Sequence, residues 1–194
     1  HTGKLKDRLP VEKCLEAARV SEVPTVALCG GEPTLYPELP ELLQGLFDMD
    51  IYVIMCTNAL VLDKKLFPVV PPNKRLFVNV HLDGLASTHD FVCNRKGVFD
   101  KALAMIKESK ERGYLTITNT TVFKETDVDE VEELCEMLTE IGVDGILVSP
   151  GYQYESVEKD IFLTQSQIHE KFRRIRHLSK KYKLTATPTF LDFA

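Results

Sequence analysis

The chain has 194 residues, 44% of them hydrophobic, enough for one sizeable core in a single domain or most of one. Lys and Arg number 24 against 29 Asp and Glu, so the net charge is -5 and no basic surplus marks a nucleic-acid partner. No apolar run approaches the roughly 18 residues of a membrane-spanning helix and no charged-then-apolar signal segment opens the sequence, so a cytoplasmic protein is expected.

In chain order, Val11, Cys14, Leu15 and Ala18 share one helical face, and VPTVALC (23–29) is the first β-branched strand. A helix follows through Leu39, Leu42, Leu43, Leu46 and Phe47, then the strands IYVIMC (51–56) and RLFVNVHL (75–82). Phe99, Ala102, Leu103 and Ile106 mark the next helix, YLTITNT (114–120) the next strand. Val131, Leu134, Leu138 and Ile141 lead into the last strand, DGILVS (144–149). Asp127 with Glu130, and Thr164 with Gln167, read as capping boxes, while Gly113 and Gly142 stand where helix C-caps belong. After Thr164 a helix carries Arg173, Arg174, Arg176, Lys180 and Lys181 beside an apolar stripe of Ile168, Phe172, Ile175 and Leu178. That basic face is either simply solvated or a rest against anionic lipid headgroups. Strands alternating with helices at this rhythm predict parallel β/α units, arranged as an open α/β sheet or as a full or partial β/α barrel.

Such folds bind ligands at the carboxyl ends of their strands. Here those ends are CGGEP (29–33), CTNA (56–59), HLDG (81–84), NTT (119–121) and SPGY (149–152), each polar or glycine-bearing after an apolar run. In the first, Gly30 and Gly31 let the backbone approach a ligand, Glu32 offers a carboxylate to an ammonium group, and Pro33 stiffens the exit. The five cysteines suit neither a disulfide framework nor a zinc site. Cys14, Cys29 and Cys135 read as packing residues and Cys93 as an idle thiol in a loop-like stretch. His81, Asp83 and His89 do not have a recognised metal-ligand spacing, so no metal ligands are expected among them and His89 is read as a surface residue. By strand alternation Cys56 points into a barrel with Ile54 and Tyr52, where core packing is its alternative role.

The Gly-Gly-Glu-Pro after a strand resembles the element of radical S-adenosylmethionine enzymes whose backbone and glutamate contact the methionine amino group. The longer segments LCGGEPTLYPELPELLQGL, MCTNALVLDKKL, VNVHLDGLASTHD, GVFDKALAMIKESKERG, TNTTVF, GVDGILVSPGYQYE and TPTFLDF resemble the adenosyl-hopene transferase family of hopanoid biosynthesis. This resemblance implies a partial, TIM-like β/α barrel, with 1–194 a fragment of the core domain whose first strand, cluster loop and C-terminal region lie outside it. It implies a [4Fe-4S] cluster on a CxxxCxxC loop absent from these residues, and S-adenosylmethionine as cofactor.

The activity implied is transfer of the 5′-deoxyadenosyl group to a hopene (diploptene), giving adenosylhopane. A flavodoxin or ferredoxin would supply electrons, and the enzyme would be cytoplasmic with a peripheral contact to the inner membrane. Gly30, Gly31, Glu32, Pro33, Asn58, His81, Asp83, Asn119, Ser149 and Pro150 would then line the cofactor. Cys56 would give hydrogen to the substrate radical. The asparagines and Asp83-Gly84 also read as ordinary turn residues. The rival readings are a radical S-adenosylmethionine enzyme with another substrate and a noncatalytic β/α binding domain.

Overall fold

The computed structural model describes residues 8–151 and 161–185. The five apolar runs form strands β1 (Thr25–Leu28), β2 (Tyr52–Thr57), β3 (Leu76–His81), β4 (Leu115–Val122) and β5 (Gly145–Pro150). All neighbours pair in parallel in the order β1-β2-β3-β4-β5. A doubly wound sheet reverses its order at a switch point, whereas here every unit adds its strand to the same edge. Right-handed twist accumulated in one direction curls such a sheet, and the result is a half-barrel, the partial TIM-like barrel expected.

The helices are α1 (Val11–Ser21), α2 (Leu39–Asp48), α3 (Leu62–Lys65), α4 (Ala86–Val92), α5 (Val98–Glu111), α6 (Val128–Ile141) and α7 (Gln165–Leu178). Val53, Met55, Leu76, Val78, Val80, Ile146 and Val148 are buried with Leu43, Leu46, Ala102, Ile106, Val131, Leu134 and Leu138 of α2, α5 and α6 in one core. Each such side chain contributes about 1.5–3 kcal/mol by leaving water. Some polar groups within it are paired: the Ser109 and Thr116 hydroxyls meet at 2.8 Å, and Tyr114 donates its hydroxyl to the Val70 carbonyl, whereas the buried Thr118 and Thr120 hydroxyls find no partner among the described residues. The alternate residues of the strands, including Ile54, Phe77, Ile117 and Leu147, are only half-buried and line the concave face.

Thr164 and Gln167 form the expected capping box, and Gly142 closes α6 in the left-handed region at φ 82°. Asp127 caps α6 through the Asp129 N–H, but Glu130 does not complete a box. Its carboxylate instead accepts from the Leu85 N–H at 2.7 Å and the Thr88 hydroxyl at 2.9 Å, tying down the start of α4. Gly84, at φ 142°, permits this, because a Cβ there would lie 2.9 Å from both Glu130 and Thr88. We expect Glu130→Ala to lower stability by about 1–2 kcal/mol, the scale of a lost helix cap. Urea unfolding reads this, and an unchanged midpoint would count against the brace.

The stretch expected to be a loop around Cys93 is the end of α4. On α7, Phe172, Ile175 and Leu178 are buried in the protein's own core, and Arg174 and Lys181 pair with Asp129 and Glu132 of α6. The apolar stripe is therefore covered by the chain itself. No described helix is long and apolar enough to cross a membrane. TPTFLDF, Tyr152 and the residues after it up to 160 lie outside the described residues.

Candidate active site

The strand ends meet along one rim of the half-barrel. After β1, Gly30 takes φ 135°, a conformation that disfavours side chains, and a Cβ on Gly30 or Gly31 would meet nothing within 4 Å. The space beside both glycines is therefore open. Glu32 then caps a 3-10 turn over Pro33–Leu35, with Pro33 at its first position.

The Glu32 carboxylate is also a brace. Its Oε1 accepts from the Thr57 hydroxyl at 2.7 Å, the Thr34 hydroxyl at 2.6 Å and the Thr34 N–H at 3.2 Å. Among the described residues, Oε2 accepts only from the Asn58 N–H, at 2.9 Å, and keeps capacity for a further donor. The charge is thereby held at the junction of β1 and β2. Asn58 spends its side-chain carbonyl on the Leu60 N–H at 3.0 Å, so its Oδ1 shapes the turn.

At the end of β3, His81 Nε2 lies 2.6 Å from Asp83 Oδ2; Asp83 is buried, whereas the His81 side chain is 40% exposed. The other Asp83 oxygen accepts from the Thr121 N–H at 2.8 Å, locking the β3 exit onto β4. Burial alone would lower the His81 pKa, but the hydrogen bond and charge of Asp83 outweigh it and raise it above the ordinary histidine value. His89, expected at the surface, is buried, and its Nδ1 accepts from the Asp83 N–H at 3.1 Å. The cause is α4, which folds back over the strand end. His81, Asp83 and His89 thus do gather, yet among the described residues no three or more His, Cys, Asp or Glu side chains form a group able to hold a metal ion.

Asp83→Asn removes the raising influence, so His81 is expected to titrate at lower pH in that variant than in the parent. Histidine NMR titration measures it, and equal midpoints would refute the pairing. The sign for stability follows from the raised value. The pair's contribution is full below the unfolded histidine pKa of about 6.5 and is lost as pH rises through the folded one.

Asn119 stands opposite His81 in the β3–β4 register, and its Oδ1 is buried without a hydrogen-bond partner among the described residues. Ser149 pairs with Thr121 on β4, half-buried, and Pro150 ends β5. NTT thus lies within β4, one residue short of its end at Val122, and the Ser149-Pro150 pair closes β5 rather than forming a loop beyond it.

Deeper on the concave face is Cys56. The Asn79 Nδ2 lies 3.5 Å from its sulfur and the Cys29 sulfur 3.4 Å away on the other side. Burial chiefly, with the Cys29 contact adding, pushes the Cys56 thiol up to about 11, while Asn79 pulls the other way. Cys56 is therefore a protonated thiol at neutral pH. Sequence reasoning missed Asn79, whose Oδ1 is also buried and unpartnered. The signal was present, since Asn79 is the polar member of an apolar strand at the parity of His81. Cys29, expected to pack, is exposed and meets Cys56 instead.

A half-barrel of parallel strands with glycine peptides, a braced carboxylate and unsatisfied amide oxygens along its carboxyl rim defines a β/α-barrel enzyme core built for a polar cofactor. Residues 1–138 match the model of the Radical SAM superfamily, and the chain belongs to that superfamily. Residues 146–194 match a model described as a domain of unknown function, DUF3463. Fe-coproporphyrin III synthase of Methanosarcina barkeri is 28% identical over 148 residues, 74% of this chain and 37% of that protein. GTP 3',8-cyclase of Helicobacter pylori is 29% identical over 136 residues, 68% of this chain and 42% of that protein. The chain thus spans less than half the length of these relatives. Streptococcus suis SuiB bound to S-adenosylmethionine shares the fold, with TM-score 0.79 and 18% identity over 93% of this chain and 43% of SuiB.

Members of the superfamily use a [4Fe-4S] cluster and S-adenosylmethionine. The open Gly30 and Gly31 peptides, Glu32 Oε2 and the unpartnered Asn119 Oδ1 fit the amino-acid and ribose groups of the latter. The cluster is not fitted by the described residues, which gather no set of ligands for it.

Proposed function

We propose that this chain is part of the single core domain of a radical S-adenosylmethionine transferase that adds the 5′-deoxyadenosyl group to a hopene, diploptene, forming adenosylhopane. Gly30, Gly31, Glu32 and Pro33 receive the methionine end of the cofactor, with Glu32 Oε2 accepting from its ammonium group. Asn58, His81, Asp83 and Asn119 serve its carboxylate and ribose, His81 and Asn119 by direct contact and Asp83 by holding His81. Ser149 and Pro150 offer backbone groups to adenine. The reductively cleaved cofactor supplies the radical that bonds through C5′ to the terminal alkene carbon, leaving a tertiary carbon radical on the hydrocarbon.

The observation that carries this reading is Cys56, a protonated thiol on the concave face beside half-buried Ile54 and Phe77. Its sulfur–hydrogen bond breaks as the substrate's carbon–hydrogen bond forms. The resulting thiyl takes up one electron from a flavodoxin- or ferredoxin-type donor and one proton from solvent to restore the thiol. Apolar side chains on the same face favour a hydrocarbon substrate and exclude water from the radical. A contact with the inner membrane would rest on charge, through exposed Arg173 and Lys180, since the apolar stripe of α7 is buried.

The test is product analysis of the full-length enzyme with diploptene, S-adenosylmethionine and reductant. Adenosylhopane and methionine in equal amounts are expected. The relatives named for porphyrin and GTP chemistry favour a second reading, a radical enzyme with another substrate. Cofactor cleavage without any hopene adduct would decide for it.

A further inference from the structure

Cys29 has no part in the reading above, yet it is placed with care. Leu28 pairs with Met55, so continuing the parallel register sets Cys29 beside Cys56 on the next strand. Neighbouring strands run about 4.8 Å apart, inside the backbone separation from which a disulfide closes without chain movement. The two side chains share the concave face, and their sulfurs are 3.4 Å apart. Asn79 on the far side of Cys56 limits where its sulfur can turn. The other three cysteines lie elsewhere, on α1, at the end of α4 and inside α6. No third ligand-type side chain joins the two to make a metal site among the described residues.

We propose that Cys29 and Cys56 are a redox dithiol, a modification site at which a low-molecular-weight disulfide oxidant such as glutathione disulfide closes a reversible intramolecular bond. Cys29 reacts first because it is exposed, whereas Cys56 is half-buried and holds its proton to about pH 11. Having lost its proton, the Cys29 sulfur attacks one sulfur of the oxidant, whose disulfide breaks and releases one thiol. Cys56, giving up its proton in turn, attacks the Cys29 sulfur of the mixed disulfide and releases the second thiol. The protein loses two electrons and two protons, and the oxidant is reduced to two thiols. The second step is intramolecular between sulfurs already in contact, so the mixed disulfide does not accumulate. Solvent access at Cys29 keeps the bond open to reduction. In the closed form Cys56 carries no hydrogen toward the concave face.

The dithiol stands apart from the hydrogen-donor role of Cys56, and its test reads the protein rather than the product. Full-length holoenzyme, kept anaerobic, is equilibrated in glutathione buffers of rising oxidised fraction, and each cysteine is scored by differential alkylation and peptide mass spectrometry. Cys29 and Cys56 should lose alkylation together along a two-electron curve and appear as one linked peptide pair, lighter by two hydrogens. In Cys29→Ser, Cys56 should stay alkylatable through the range over which the parent closes. Parent enzyme in which both cysteines stay alkylatable, or each carries its own glutathione, overturns the proposal. A Cys56→Ala enzyme that still makes saturated product would remove the donor reading and leave this result untouched.

Discussion

Full-length enzyme carrying Cys56→Ala is expected to cleave S-adenosylmethionine yet lose saturated adenosylhopane. The yield should fall on the order of a hundredfold, comparable to the lower end of what removing a positioned proton donor costs an enzyme. The sulfur–hydrogen bond is weaker than the carbon–hydrogen bond it makes, so transfer to the tertiary radical runs downhill. Neither Asn79, 3.5 Å away, nor the apolar neighbours Ile54 and Phe77 can donate in its place. The radical should then divert to an unsaturated adduct, or the adenosyl group be lost as 5′-deoxyadenosine. Liquid chromatography with mass detection separates these products, and parental yields of the saturated one would return Cys56 to a packing role.

For Glu32→Gln the expected result is weaker S-adenosylmethionine binding. A charge-assisted contact to an ammonium group becomes a neutral one, worth on the order of 1.5–3 kcal/mol, so the Kd should rise roughly tenfold or more. A second consequence follows from the brace. Glu32 accepts from four donors, at Thr34, Thr57 and Asn58, and an amide nitrogen placed toward any of them can only donate. Thermal unfolding should therefore also soften. Thr57→Val separates the two effects, because it removes one brace hydrogen bond while leaving the carboxylate charge in place. Calorimetry should show a much larger affinity loss for Glu32→Gln than for Thr57→Val. Equal losses would mean that the carboxylate acts only on the fold.

The positions of all five strands, the long helices and the polar strand ends were legible in the sequence, for local reasons. Alternation in IYVIMC and VNVH sorts residues onto two faces, helical spacing marks Leu39 to Leu46, and glycine and proline punctuate each exit. The parity of Cys56 with Ile54 and Tyr52 is likewise a local property, and the structure keeps it. Which residues become neighbours across strands was decided only by the tertiary structure. Parallel strands are joined by long crossovers, so the register that sets Cys29 against Cys56, or His81 against Asn119, depends on how helices pack on the sheet. The same applies to Glu130. Its spacing from Asp127 resembles a capping box, yet Leu85, 45 residues earlier, offers an N–H that α4 brings within 2.7 Å. His89 reads as a surface residue until α4 folds it onto Asp83. Burial and pKa at this site are thus properties of the curled sheet and the helices packed on it rather than of any segment within it.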